Sequence, residues 1–166
     1  MPKAFSIQHF AFSIVYLYFM KYLIYFLPVV IGIALTTQSG VNSQLKTSVN
    51  NPWMAAFISF LVGTIALAAV IIVTRQTVPS MGALKSIELY KYTGGILGAF
   101  IVTGIIFSVQ KVGSANMFAM IIAGQLLTAL LFDHLGLFGF RQANINWVKI
   151  TGVVLLISGA YLINKK

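Results

Sequence analysis

Along the chain, apolar residues come in long unbroken runs separated by short polar breaks. This pattern has neither the alternation of a half-buried strand nor the single stripe of a water-facing helix. Charge, Gly, Pro and Asn mark the breaks, and they predict helices at about 22–40, 52–74, 92–110, 114–132 and 147–163. The second begins sharply at Asn51-Pro52-Trp53: an N-cap Asn, then Pro at the first helical position, then a Trp suited to a membrane interface. Arg75 stops it, and a polar linker with Pro79, Gly82, Lys85 and Glu88 follows. Lys111-Val112-Gly113 predicts a tight turn, which makes the third and fourth helices antiparallel neighbours. Asn146 is a candidate N-cap for the last helix, behind a linker rich in Gly and aromatic residues.

A membrane helix takes about 20 apolar residues, so five would use roughly 100 of the 166 positions. Lipid offers no partner to a free backbone group, and a closed barrel would need alternating rather than continuous apolar runs. The expected fold class is therefore an all-α integral membrane protein, a bundle of five transmembrane helices.

Residues 1–19 fit this plan poorly. Phe5, Phe10, Phe12, Tyr16, Tyr18 and Phe19 make the segment strongly aromatic, and only Lys21 separates it from the first span. There is no room for a turn, hence no sixth span, and no small-residue cleavage site of a signal peptide. Either the segment is an interfacial helix or an extension of the first span, or Met20 is the true start. The second reading is preferred, because Met20-Lys21 followed by an apolar run is a complete membrane-protein beginning. Residues 20–166 then form a single five-helix domain.

Composition supports the membrane assignment. The chain is 59% hydrophobic with mean hydropathy +0.94, and 8% of its residues are charged where a soluble domain carries about a quarter. A disordered chain, a coiled coil and an ordinary soluble fold are excluded, and with no Cys so is a disulfide scaffold. Eleven Lys and Arg stand against two acids, Glu88 and Asp133, giving a net charge of +9. In a soluble protein this would suggest nucleic acid. Here the bases punctuate apolar runs as the loops of a multi-pass protein do, and no nucleic-acid partner is needed. With five spans, seven bases lie on the side of Lys21 and Arg75, and four on the side of Lys46, Lys111, Lys165 and Lys166. From Met20 the tally is six against four. It favours a cytoplasmic N-terminus by a margin compatible with insertion in both orientations.

Polar residues within spans are functional candidates. Gln38 and Asn42, four apart, share a helix face, and Gln125 and Thr128 fall on a fourth-helix stripe with Ser114, Met117, Ile121 and Phe132. One reading places Gln38 and Gln125 across a solute-binding cavity; the other makes them interhelical hydrogen bonds holding a bundle together. For Asn42, near the interface, a structural cap is the better account. Asp133-His134 is the one acid–imidazole pair, a candidate for proton coupling or a marker of the helix end. Glu88 reads as a solvated loop residue. Gly94 and Gly98 form a GxxxG spacing, Gly152 and Gly159 recur on one face, and Gly63 makes a small patch with Ser59. These glycines suit close helix packing or dimerisation. Pro28 should kink or interrupt the first span. There is no metal-ligand cluster, nucleophile motif or phosphate loop, so the expectation is a non-enzyme without metal or cofactor.

Four stretches taken together resemble a known group: Gln38-Ser39-Gly40-Val41-Asn42-Ser43-Gln44-Leu45; Asn51-Pro52 with Ala55-Ala56-Phe57-Ile58-Ser59-Phe60-Leu61-Val62-Gly63-Thr64; Gly94-Gly95-Ile96-Leu97-Gly98-Ala99; and Gly124-Gln125-Leu126 with Asp133-His134-Leu135-Gly136-Leu137-Phe138-Gly139. The chain looks like a member of the small five-helix, YdcZ-like branch of the drug/metabolite transporter (DMT) superfamily, over about residues 20–163. The resemblance implies half of a ten-helix EamA-like fold, a secondary transporter in the bacterial inner membrane, and a dimer, antiparallel in keeping with the small charge bias. The related small multidrug exporters carry a Glu in their first helix for proton exchange. With no acid expected inside any span here, that chemistry does not carry over, and a site of neutral amides would favour uncharged or zwitterionic solutes.

Overall fold

A computed structural model describes the backbone of residues 7–165, and the side chains of residues 22–163 and of Lys165. All regular structure among the described residues is helical: α1 (Ile7–Val49), α2 (Pro52–Val73), α3 (Met81–Lys85), α4 (Thr93–Val112), α5 (Ser114–Leu135) and α6 (Trp147–Asn164), with 3-10 turns at Leu89–Tyr92 and Leu137–Gly139. Four stretches are long and apolar enough to cross a membrane: Tyr22–Val49, Pro52–Val73, Leu89–Val112 and Ser114–Leu135. Trp147–Ile163 is a shorter apolar helix.

The chain divides into two compact units after Gln38. The first is the leading part of α1, which contains Pro28. Its side chains from Tyr22 to Ala34 are all exposed, as lipid-facing residues are. The expectation of a distinct segment over residues 1–19 falls largely outside the described side chains; the backbone from Ile7 onward is part of α1.

The second unit holds the end of α1 and all later helices. Here α2 packs on α4, α4 on α5, and α5 on α6. Its core is small: Ala55, Ala56 and Ile106 are buried, with Leu45, Val49 and Val102 around them. Two alanines in the first turns of α2 bring the α2 backbone close enough for Ile106 of α4 to be fully covered.

Local chemistry explains the helix ends. α1 runs to Val49, well past the expected end near residue 40. Its polar stretch stays helical because hydroxyls bond back one turn: Thr47 Oγ1 donates to the Ser43 carbonyl and Ser48 Oγ to that of Gln44, both at 3.2 Å. The turn into α2 is short. Asn50 takes φ 50°, and the Asn51 side chain accepts from the Trp53 and Met54 amides ahead of Pro52, as the sequence predicts. α4 and α5 are joined through Gly113 alone, at φ 87° and ψ 147°, a backbone region open to glycine. Between α2 and α4, Ser80 caps α3, the Tyr92 hydroxyl donates to the Leu84 carbonyl at 2.8 Å, and Glu88 pairs with Lys91 at 3.0 Å while remaining exposed.

A groove between the fourth and fifth helices

An open groove of about 940 Å³ lies between α4 and α5 in the second unit, walled by Phe100, Ile101, Phe132 and Phe140. Into this apolar surface α5 brings Gln125, Thr128 and Asp133. A second cavity of about 420 Å³ lies beside it, with Ser108, Met117 and Met120 in its wall. Phe100, Ile101 and Gln125 line both. Gln125 therefore sits at the junction of the two spaces.

Helix geometry accounts for the α5 contribution. Gln125, Thr128 and Phe132 are spaced by three and four residues and so project on one side. α5 continues to Leu135, where Gly136 at φ 63° ends it. Asp133 consequently lies in the last turn of the helix, half-buried against the groove, not beyond the span as the sequence suggested. His134, roughly 100° further around, is exposed and does not line the groove. The acid and the imidazole thus face different surroundings.

The linker after α5 closes this end. Phe138, at φ 56°, sets its ring edge-on to Phe132 with centroids 5.2 Å apart, and Phe140 stacks on Phe132 at 6.5 Å. The Ala143 amide donates to the Asp133 carbonyl at 2.9 Å and Gln142 Nε2 to that of His134 at 3.3 Å, satisfying carbonyls a helix end leaves free. Lys149 Nζ donates to the carbonyls of Ala143 and Asn144, and Asn146 accepts from the Lys149 amide as the N-cap of α6. Lys149 is thereby occupied holding the linker.

Hydrogen bonding separates two kinds of polar residue. Thr64 and Thr151 each bond the carbonyl four residues back. Among the described residues, the side chains of Gln125 and Thr128 have no hydrogen-bond partner, and the Asp133 carboxylate has no ion pair. At the other end of α4, by contrast, Lys46 Nζ donates to Gln110 Oε1 at 2.9 Å and Gln110 Nε2 to Thr47 Oγ1 at 3.5 Å. This bond puts Lys46 beside the residue preceding Lys111, in keeping with the side assigned to both by counting spans.

On α1, Gln38 is exposed and Asn42 buried. The residue buried with Asn42, at 3% exposure, is Ser39, whose hydroxyl has no hydrogen-bond partner. Of the glycines expected to mediate packing, Gly98 receives the Phe60 ring 3.6 Å from where a Cβ would stand. Gly63, Gly94, Gly152 and Gly159 have nothing within 4 Å. The described residues contain no group of three His, Cys, Asp or Glu able to hold a metal.

Sequence reasoning missed the α4 wall, although Phe100, Gly104 and Ser108 recur every four residues and could have been read as a stripe. It also missed Phe140. No periodicity could show it, because its position depends on a chain reversal through three residues of positive φ, Gly136, Phe138 and Gly139.

A family model described as "Putative inner membrane exporter, YdcZ" matches residues 23–162. The inner membrane protein YdcZ of Escherichia coli (strain K12) is 29% identical over 136 residues, covering 81% of this chain and 90% of that protein. No solved structure matches. An exporter is not an enzyme class. With apolar helices long enough to span a bilayer and a match over most of its length, the chain belongs to the YdcZ family of multi-pass bacterial inner-membrane proteins.

Proposed function

We propose that the chain is a secondary transporter that moves a small solute across the inner membrane, with the α4–α5 groove as its binding surface and Gln125 and Thr128 as polar contacts. The observation that carries this reading is the pair of unpartnered polar side chains at the mid-span of α5, on an apolar groove. A polar group facing hydrocarbon without a partner is costly, so it is retained for a partner that arrives. The family description as an exporter gives the same direction. Gln38 and Asn42 are separate α1 candidates, each to be tested by its own substitution.

α6, with 18 residues, extends about 27 Å at 1.5 Å per residue, close to the hydrocarbon thickness of a bilayer. We take it as a fifth crossing. Within the second unit the groove between α4 and α5 is open, and a second copy would close it. Gly63, Gly94 and Gly152, exposed and with nothing within 4 Å of a Cβ position, are the surfaces for that association, while Gly159 is half-buried in a cavity shared with Ala119 and Ile122 of α5. Reconstituted vesicles test the reading: Gln125→Ala removes solute flux while the protein still inserts and elutes as the parent does. Intact flux in this variant overturns it. The same bare glycines also support a non-transporting subunit that binds a different membrane partner. That alternative requires Gly152→Leu to release a co-purifying protein, and a pure homodimer with flux excludes it.

A further inference from the structure

The geometry points to a more definite ligand class for this groove: an amphipathic cation, its apolar body between Phe100, Phe132 and Phe140 and its positive group toward Asp133. The inference rests on the transport reading above and replaces the expectation of a neutral or zwitterionic solute, which assumed no acid inside a span.

Three observations converge. The groove volume of about 940 Å³ lies within the range of about 300 to 1,000 Å³ typical of small-molecule sites. Its wall is aromatic on both helices and on the returning linker, and ring faces attract cations as well as apolar surface. Asp133 is the one ionisable residue lining it, half-buried and without an ion pair. Lys149, in the first turn of α6, spends its ammonium on the Ala143 and Asn144 carbonyls, and Arg141 in the linker forms no ion pair among the described residues. Among the described residues, no Lys or Arg forms an ion pair with the carboxylate at this groove. An incoming cation supplies the missing charge, and burial against the rings strengthens the attraction relative to water. Gln125, about two turns deeper along α5, offers an amide to the opposite end of the ligand.

Two rigid ions of nearly equal size and opposite charge, tetraphenylphosphonium and tetraphenylborate, test this on the full chain in detergent by equilibrium dialysis. The expected result is saturable binding of the phosphonium, no comparable saturable binding of the borate, and a loss of about tenfold in phosphonium affinity in Asp133→Asn. Phe100→Ala weakens binding as well, which a bare surface charge would not produce. Glu88→Gln removes the other acid, already paired with Lys91, and leaves binding unchanged. If both ions bind alike, or if Asp133→Asn equals the parent, the inference is overturned and the groove is a site for lipid chains. An equal loss in Glu88→Gln also overturns it, since net charge would then be the cause. Should phosphonium binding fail while Gln125→Ala still abolishes flux, the transport reading stands and only the cationic ligand falls.

Discussion

The two ends of α4 do opposite things with similar residue types. Near Ile106 and Gln110 the second unit is closed: small alanines admit a fully covered isoleucine, and an amide, an ammonium and a hydroxyl bond one another. Near Phe100 it is open, and an amide, a hydroxyl and a carboxylate face a groove with no partner among the described residues. A glutamine occurs in each, Gln110 as structural glue and Gln125 as a free group. Residue type alone does not decide between these roles. The neighbour does.

Substitution at the closed end should have the largest effect on stability. Ile106→Ala deletes a fully buried side chain from the centre of the core and should cost about 2–5 kcal/mol, read as a lowered unfolding midpoint in detergent. Gly113→Ala comes next. Its φ and ψ of 87° and 147° lie in a region that costs other residues about 1–3 kcal/mol, and the α4–α5 hairpin depends on it. A midpoint equal to the parent's in either variant would mean that the closed end does not hold this unit together.

These sites also show what was legible beforehand. The apolar runs located the helices because a membrane span must be continuous and helical, and Asn51, Pro52, Gly113 and Asn146 fixed turns through local backbone chemistry that depends on few neighbours. The end of α1 is not legible in the sequence because polar residues such as Ser43, Gln44, Thr47 and Ser48 read as a break, while the Thr47 and Ser48 hydroxyls bond the Ser43 and Gln44 carbonyls within the helix. Gln125 and Thr128 could be nominated from their spacing, but glue and site look alike until partners are known. Asp133 was placed outside the span, since its position in the last turn depends on Gly136 and the returning linker.

A smaller effect is expected at Gln110→Ala. It removes the hydrogen bonds to Lys46 and Thr47, and interhelical bonds of this kind average about 0.6 kcal/mol in membrane proteins. Thermal unfolding should register a shift several times smaller than that of Ile106→Ala, with flux retained. Loss of flux here would erase the distinction between the two ends of α4.

The smallest change in stability should come from Thr128→Val, which is where the comparison is sharpest. The replacement keeps the shape of the side chain and deletes only its hydroxyl, which has no hydrogen-bond partner among the described residues. With nothing broken and an apolar wall gained, the unfolding midpoint should stay within about 0.5 kcal/mol of the parent, as for substitutions that disturb no packing or network. Solute flux, in contrast, should fall severalfold, because the hydroxyl's partner is the ligand. Thr47→Val at the closed end should show the reverse: a slightly lowered midpoint, from loss of its bonds to Ser43 and Gln110, and unchanged flux. If both threonine variants behave alike in flux, the open groove has no privileged role, and its unpartnered polar groups answer to the lipid or to a second chain.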